Sequence, residues 1–223
     1  MGKDIQHSGQ ISLFDQEFDF LAELSEFDGW PDPQSFPYNA KHSTVGSIVI
    51  DDLKSSDHPL IVTGYASLEK IIDFCSDINN EQSSIRLLLG SEPYETQRTE
   101  FQVESVSFPD EVREYWLDQS ISIHLSAQLI LMIENLKSRK VQARYIEAPR
   151  NRLHDILYVG DKAVTIGSSN FSANGLHHQL EANVRFTSKE KRRFASAVSL
   201  ATIYWEKGTD YNDQLIALLE TLL

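Results

Sequence analysis

Between residues 154 and 170 the chain prescribes a local structure with little ambiguity. Ile156-Leu157-Tyr158-Val159 and Ala163-Val164-Thr165-Ile166 are two short β runs, and Gly160-Asp161 between them suits a tight hairpin. His154 stands at the entrance of the first run, and Gly167-Ser168-Ser169-Asn170 at the exit of the second. The open ends of a hairpin's two legs lie side by side. The histidine and the Gly-Ser-x-Asn turn are therefore expected to be neighbours in space.

The rest of the chain supplies a layer around this hairpin. Ser47–Ile50 and Leu60–Thr63 are β-branched runs read as strands. A helix opens after Ser67 with Leu68, Ile71 and Ile72 on one face, and Ile85–Leu89 is a further strand closed by Gly90. Residues 109–140 have helical spacing, residues 141–146 and 180–186 alternate as strands, and residues 188–206 and 213–223 are amphipathic helices. Strand, helix, strand in succession is the signature of an α/β layer. The globular part is expected to span residues 44–223. Residues 1–43 form an acidic arm carrying Phe14, Phe18, Phe20, Phe27 and Trp30, which seeks a docking surface on its own domain or on a partner.

Composition narrows the functional classes. The single cysteine, Cys75, excludes an internal disulfide and a cysteine-rich zinc site, and its apolar neighbours mark it as a buried structural thiol. No apolar run is long enough for a membrane helix and the start resembles no secretory signal, so a cytoplasmic setting without membrane contact is expected. The net charge of −13 is unevenly spread. Residues 1–40 carry eight acids against Lys3, whereas residues 137–162 carry seven bases against three acids, and a second basic run spans Lys189 to Arg193. His177-His178 is the one histidine pair, but with no cysteine or carboxylate pair beside it no metal site is expected.

The chemistry of the 154–170 constellation suits a phosphate ester. A neutral imidazole can attack phosphorus and split one hard displacement into two easier ones. Small residues at the turn let backbone N–H groups approach an anion, with Ser168 and Asn170 adding neutral donors. Glu181 on the following strand could hold the imidazole by its other nitrogen.

These residues resemble the phospholipase D superfamily motif, His-x-Lys, four residues, Asp, six residues, Gly-Ser-x-Asn, in the manner of its bacterial nuclease and helicase-linked members. The resemblance runs on through Gly175-Leu176 and Glu181-Ala182-Asn183-Val184. It implies an α/β/α sandwich with a mixed central sheet. It also implies His154 as nucleophile, Gly167, Ser168 and Asn170 as phosphate-binding residues, an orienting role for Glu181, and no cofactor. Two departures stand out. Ile156 occupies the lysine position, and five residues rather than six separate Asp161 from Gly167. Arg150, Arg152 and Lys162 are the candidate substitutes for the missing cation.

Only one motif copy is present, while the family's reaction uses two facing histidines. The second is expected from a homodimer or a paired subunit. The partners implied are nucleic acid and, by the same resemblance, a helicase or another protein of a bacterial DNA restriction or defence complex. Two functions follow, a metal-independent nuclease and a degenerate subunit that binds nucleic acid or partner proteins. A third reading has the acidic arm folding over residues 150–170 as a nucleic-acid mimic.

Overall fold

The structure, a computed structural model, describes residues 32–77, 84–90, 125–146 and 153–220. Seven strands form one sheet: β1 Leu60–Thr63, β2 Ile85–Leu89, β3 Val141–Tyr145, β4 Ile156–Val159, β5 Ala163–Gly167, β6 Asn183–Thr187 and β7 Thr209–Asp210. Their order across the sheet is β6-β5-β4-β1-β2-β3-β7. β1, β2 and β3 run parallel, and the remaining pairings are antiparallel, so the sheet is mixed.

The helices are α1 Val45–Lys54, α2 Leu68–Asp77, α3 Leu125–Lys137, α4 Lys191–Lys207 and α5 Asn212–Glu220, with a π-helical turn at Asn174–His178. Strand alternation sorts the core into two layers. Ile61, Leu87, Ala143, Ile156 and Tyr158 face α1, α2, α3 and α5. Leu60, Val62, Leu88, Leu157, Val159 and Val164 face Ala197, Ala201 and Trp205 of α4. This is the α/β/α sandwich with a mixed sheet that the sequence implies. Among the described residues no helix is long and apolar enough to cross a membrane.

One expected element is corrected. Ser47–Ile50 lies within α1 rather than in a strand. Thr44 caps the helix by accepting from the Ser47 N–H at 3.1 Å, and Val45, Ile48, Val49 and Leu53 are buried at helical spacing. The β-branched side chains cost only tenths of a kcal/mol (about 0.5 each) in helix propensity, which burial of one apolar face outweighs. Of the expected 109–140 helix, Leu125–Lys137 is described and residues 109–124 lie outside the described residues.

Buried asparagines fasten the layers. Asn212 accepts from the Ala143 N–H at 2.6 Å and donates to the carbonyls of Leu136 and Val141. Asn39 accepts from the Val45 N–H at 2.9 Å and donates to the carbonyls of Gly175 and Gln179. Residues from Gln34 to Ser43 therefore pack on the domain, while residues 1–31 lie outside the described residues.

Candidate active site

β4 and β5 form the expected hairpin, with Ile156 opposite Gly167 and Val159 opposite Val164. The connection at Gly160–Lys162 is pinned: Asp161 accepts from the Asp57 N–H at 2.7 Å and its own N–H donates to Ser56 Oγ. The shortened hairpin is thus accommodated at its closed end, while the register at its open end keeps His154 and the Gly167–Asn170 turn together.

His154 stands two residues before β4 and is exposed. Its neighbours fix its direction. Leu153 is buried on the α4 side, and Asp155 accepts a hydrogen bond from the Tyr204 hydroxyl of α4. With both neighbours turned toward α4, alternation puts His154 on the face of Ile156 and Tyr158. Ile156 is 3% exposed and belongs to the core, so the motif's lysine position is filled by an apolar side chain that brings no charge.

The turn is held from several directions. Gly167 must be glycine for steric reasons, because a Cβ there would collide with the side chain of Asn183 and the carbonyl of Ala182. The Ser168 N–H donates to the Ala182 carbonyl at 3.2 Å, and Ser168 Oγ accepts from the Ala182 N–H at 3.1 Å and donates to the Glu181 carboxylate. Ser169 is buried. Its Oγ accepts from Asn183 Nδ2 at 2.9 Å, and its carbonyl accepts from the Tyr158 hydroxyl at 2.5 Å. Beyond Asn170, the Phe171 N–H donates to the Tyr65 carbonyl and the Phe171 carbonyl accepts from the Ser67 N–H. Such pinning presents Ser168 at the surface and Asn170 half-buried beside it. A rigid turn of this kind can meet an anion without reorganising.

Glu181 stands within this cluster, bonded to Ser168. Burial raises its pKa above the ordinary 4.5, and the Ser168 hydrogen bond pulls partly back. A carboxyl raised in the folded state favours folding fully below its unfolded pKa and loses that contribution as pH rises through the folded value. The Glu181 side-chain carboxyl resonance is therefore expected to titrate with a midpoint above 4.5, with stability falling across that window. Glu181→Gln should remove this component from the pH-dependence of denaturation. An unchanged profile would show that Glu181 is solvated like a free side chain.

The structure does not bring every candidate together. Lys162 sits in the connection at the closed end of the hairpin, the opposite end from His154, and its carbonyl there accepts from the Ser188 N–H. Arg150 and Arg152 lie outside the described residues. His177 packs over Gly46 with Nδ1 3.3 Å from Thr44 Oγ1, and burial lowers its pKa. Among the described residues no group of three or more histidine, cysteine or acidic side chains is placed to hold a metal ion. Cys75 is buried, and burial pushes its thiol up to about 12. Sequence reasoning missed the two side chains that pin the turn, Tyr158 and Asn183. The signal for Asn183 was present, two residues after Glu181 and on a strand of fixed alternation, whereas the reach of Tyr158 to Ser169 needed coordinates.

No family model and no curated protein matches the sequence. Solved structures do match in shape. The phosphatidylserine synthase of Haemophilus influenzae superposes with a TM-score of 0.55 at 9% identity, over 79% of this chain and 39% of the synthase. Nuc of Salmonella typhimurium, a phospholipase D family member, gives 0.49 at 14% identity, over 79% of this chain and 95% of its own. NucT of Helicobacter pylori gives 0.44 at 12% identity, over 74% and 89%. The fold is phospholipase D-like, and at these identities the likeness speaks of the fold alone.

Proposed function

We propose that this chain is a phospholipase D-like phosphodiesterase acting on nucleic acid through His154. The observation that carries the reading is the exposed His154 at the open end of the same hairpin that presents the pinned Ser168–Asn170 turn. An imidazole nitrogen of His154 attacks phosphorus, the bond to the leaving oxygen breaks, and a phosphohistidine forms. Water then displaces the imidazole to release the phosphate product. Asn170 donates to the phosphoryl oxygens, Ser168 joins it when its one hydroxyl proton turns from Glu181 to the phosphate, and Glu181 holds that hydroxyl in place until then. The proton for the leaving oxygen comes from a second histidine, supplied by another copy of this chain or a paired subunit.

The preference for nucleic acid draws on the sequence resemblance and on local basic charge. Lys137, Arg139 and Arg144 are committed to ion pairs with Glu220, Asp210 and Glu206. The run from Lys189 to Arg193 at the start of α4 offers exposed cations instead. The resemblance also supplies the setting, a bacterial DNA restriction or defence complex with a helicase or similar partner.

A second reading rests on Ile156. Without the motif's cation, the chain is a degenerate subunit that retains binding and has lost cleavage. A trapping experiment separates the two. The protein is mixed with single- or double-stranded DNA in EDTA, denatured within the turnover time and digested under alkaline conditions. A nucleotide adduct on the peptide holding His154 supports the enzyme. Bound but uncleaved DNA without adduct supports the degenerate subunit.

A further inference from the structure

Along the α4 side of the sheet runs a groove of about 490 Å³ between β5, β6 and α4. Ile166, Phe186, Ala197 and Leu200 give it an apolar lining, and Arg192 and Arg193 line it as well. The first turn of α4 holds Lys191, Arg192 and Arg193 with no acid, and Lys189 precedes it. Cations there oppose the positive end of the helix dipole, an arrangement that a negatively charged partner relieves. Arg193 reaches Glu190 at 3.4 Å and stacks 5.9 Å from the Phe186 ring centroid, which leaves Arg192 and both lysines in excess of the one local acid.

The same chain contains a segment of matching chemistry. Residues 14–30 carry Asp15, Glu17, Asp19, Glu23, Glu26 and Asp28, with no base among them. Phe14, Phe18 and Leu21 recur at i, i+4 and i+7, and Leu24 and Phe27 follow. The described chain also emerges beside the groove. The Ser35 carbonyl accepts from the Arg185 N–H at 2.8 Å on the free side of β6, and Asp32 closes a turn onto Gln34 and Ser35. Arg185 turns its side chain to α1, whereas the next residue, Phe186, turns to α4. Five extended residues cover about 16 Å, enough to round the edge of one strand.

We propose that residues 14–30 dock in the groove between β6 and α4, their aromatic side chains on the apolar lining and their carboxylates against Lys189–Arg193. The arm then covers the exposed basic run rather than residues 150–170, and nucleic acid competes with it for those cations. The proposal stands on the groove, the charge and the tether, independently of catalysis by His154.

Paramagnetic relaxation in the full chain tests it. Ser25→Cys carries a nitroxide, while the buried Cys75 thiol stays unreactive. With the label oxidised at low salt, the amides of Phe186, Ser196 and Leu200 are expected to lose most of their intensity. Arg192→Glu with Arg193→Glu should restore it, and so should Leu200→Asp, which breaks the apolar contact instead of the ionic one. Intact groove signals would overturn the proposal, as would broadening centred on Ser168–Asn170. A mixture of isotope-labelled unmodified chain with spin-labelled unenriched chain completes the test. Broadening in that mixture would assign the groove to the arm of a second copy and overturn docking in cis; its absence supports it.

Discussion

His154→Ala is expected to abolish phosphodiester cleavage, with a loss on the order of 10⁴-fold or more, as when a covalent nucleophile is removed. Exposure of His154 and its position before β4 make the substitution structurally mild, so the denaturation midpoint should hardly move. Binding of DNA should persist, because the turn residues and the basic run remain. Cleavage kinetics in EDTA beside a binding isotherm for each protein provide the check. Equal cleavage by both proteins would show that another group attacks phosphorus. The wild-type rate should itself be modest, since a transition-state contact of the kind a lysine gives is commonly worth about 10²–10³, and Ile156 cannot make it.

Arg185→Ala is expected to cost about 3 kcal/mol of folding stability, toward the lower end for breaking a buried ion pair because both partners retain some solvent. Arg185 on β6 grips Asp52 of α1 with Nε and one terminal nitrogen, each at 2.7 Å. The two side chains are 14% and 17% exposed. The hydrogen bond to Asp52 raises the guanidinium pKa further, so Arg185 keeps its charge. Removing the arginine leaves a half-buried carboxylate without its partner and frees the Gln34 carbonyl as well. A native domain has only about 5–15 kcal/mol to lose, so the shift is large. Urea denaturation measures it, and the double variant Arg185→Ala with Asp52→Leu should recover part of the loss. A double variant no better than Arg185→Ala alone would place the cost in lost packing instead of the stranded charge.

Much of this architecture could be read from local signals, and the exceptions have physical causes. The hairpin was legible because strand period, turn chemistry and flanking residues all agree over a dozen positions. α1 was not, because Ser47–Ile50 is too short to reveal its period and its β-branched residues favour the other answer. The neighbourhood of His154 and the Gly-Ser-x-Asn turn followed from hairpin geometry, whereas the attachment of Glu181 to Ser168 depended on the path of residues 171–182, which carries no period. Lys162 shows the limit of sequence proximity. Eight residues from His154 along the chain, it is placed at the far end of the hairpin by the strand between them.

The rim of the sheet bears on how this molecule can assemble. At one side β7 has two residues, and at the other β6 meets the carbonyls of Ser35 and Pro37 through the Arg185 N–H and the Asn183 side chain. Among the described residues neither side presents a long open ladder to a strand from another chain, which disfavours growth into fibres by edge addition. On the proposed two-histidine reading, a second copy of this chain would meet the first through the loops around Ser168, face to face about a two-fold axis. Such a contact saturates at two copies. On that reading, the few residues folded along β6 would favour a closed pair over a polymer.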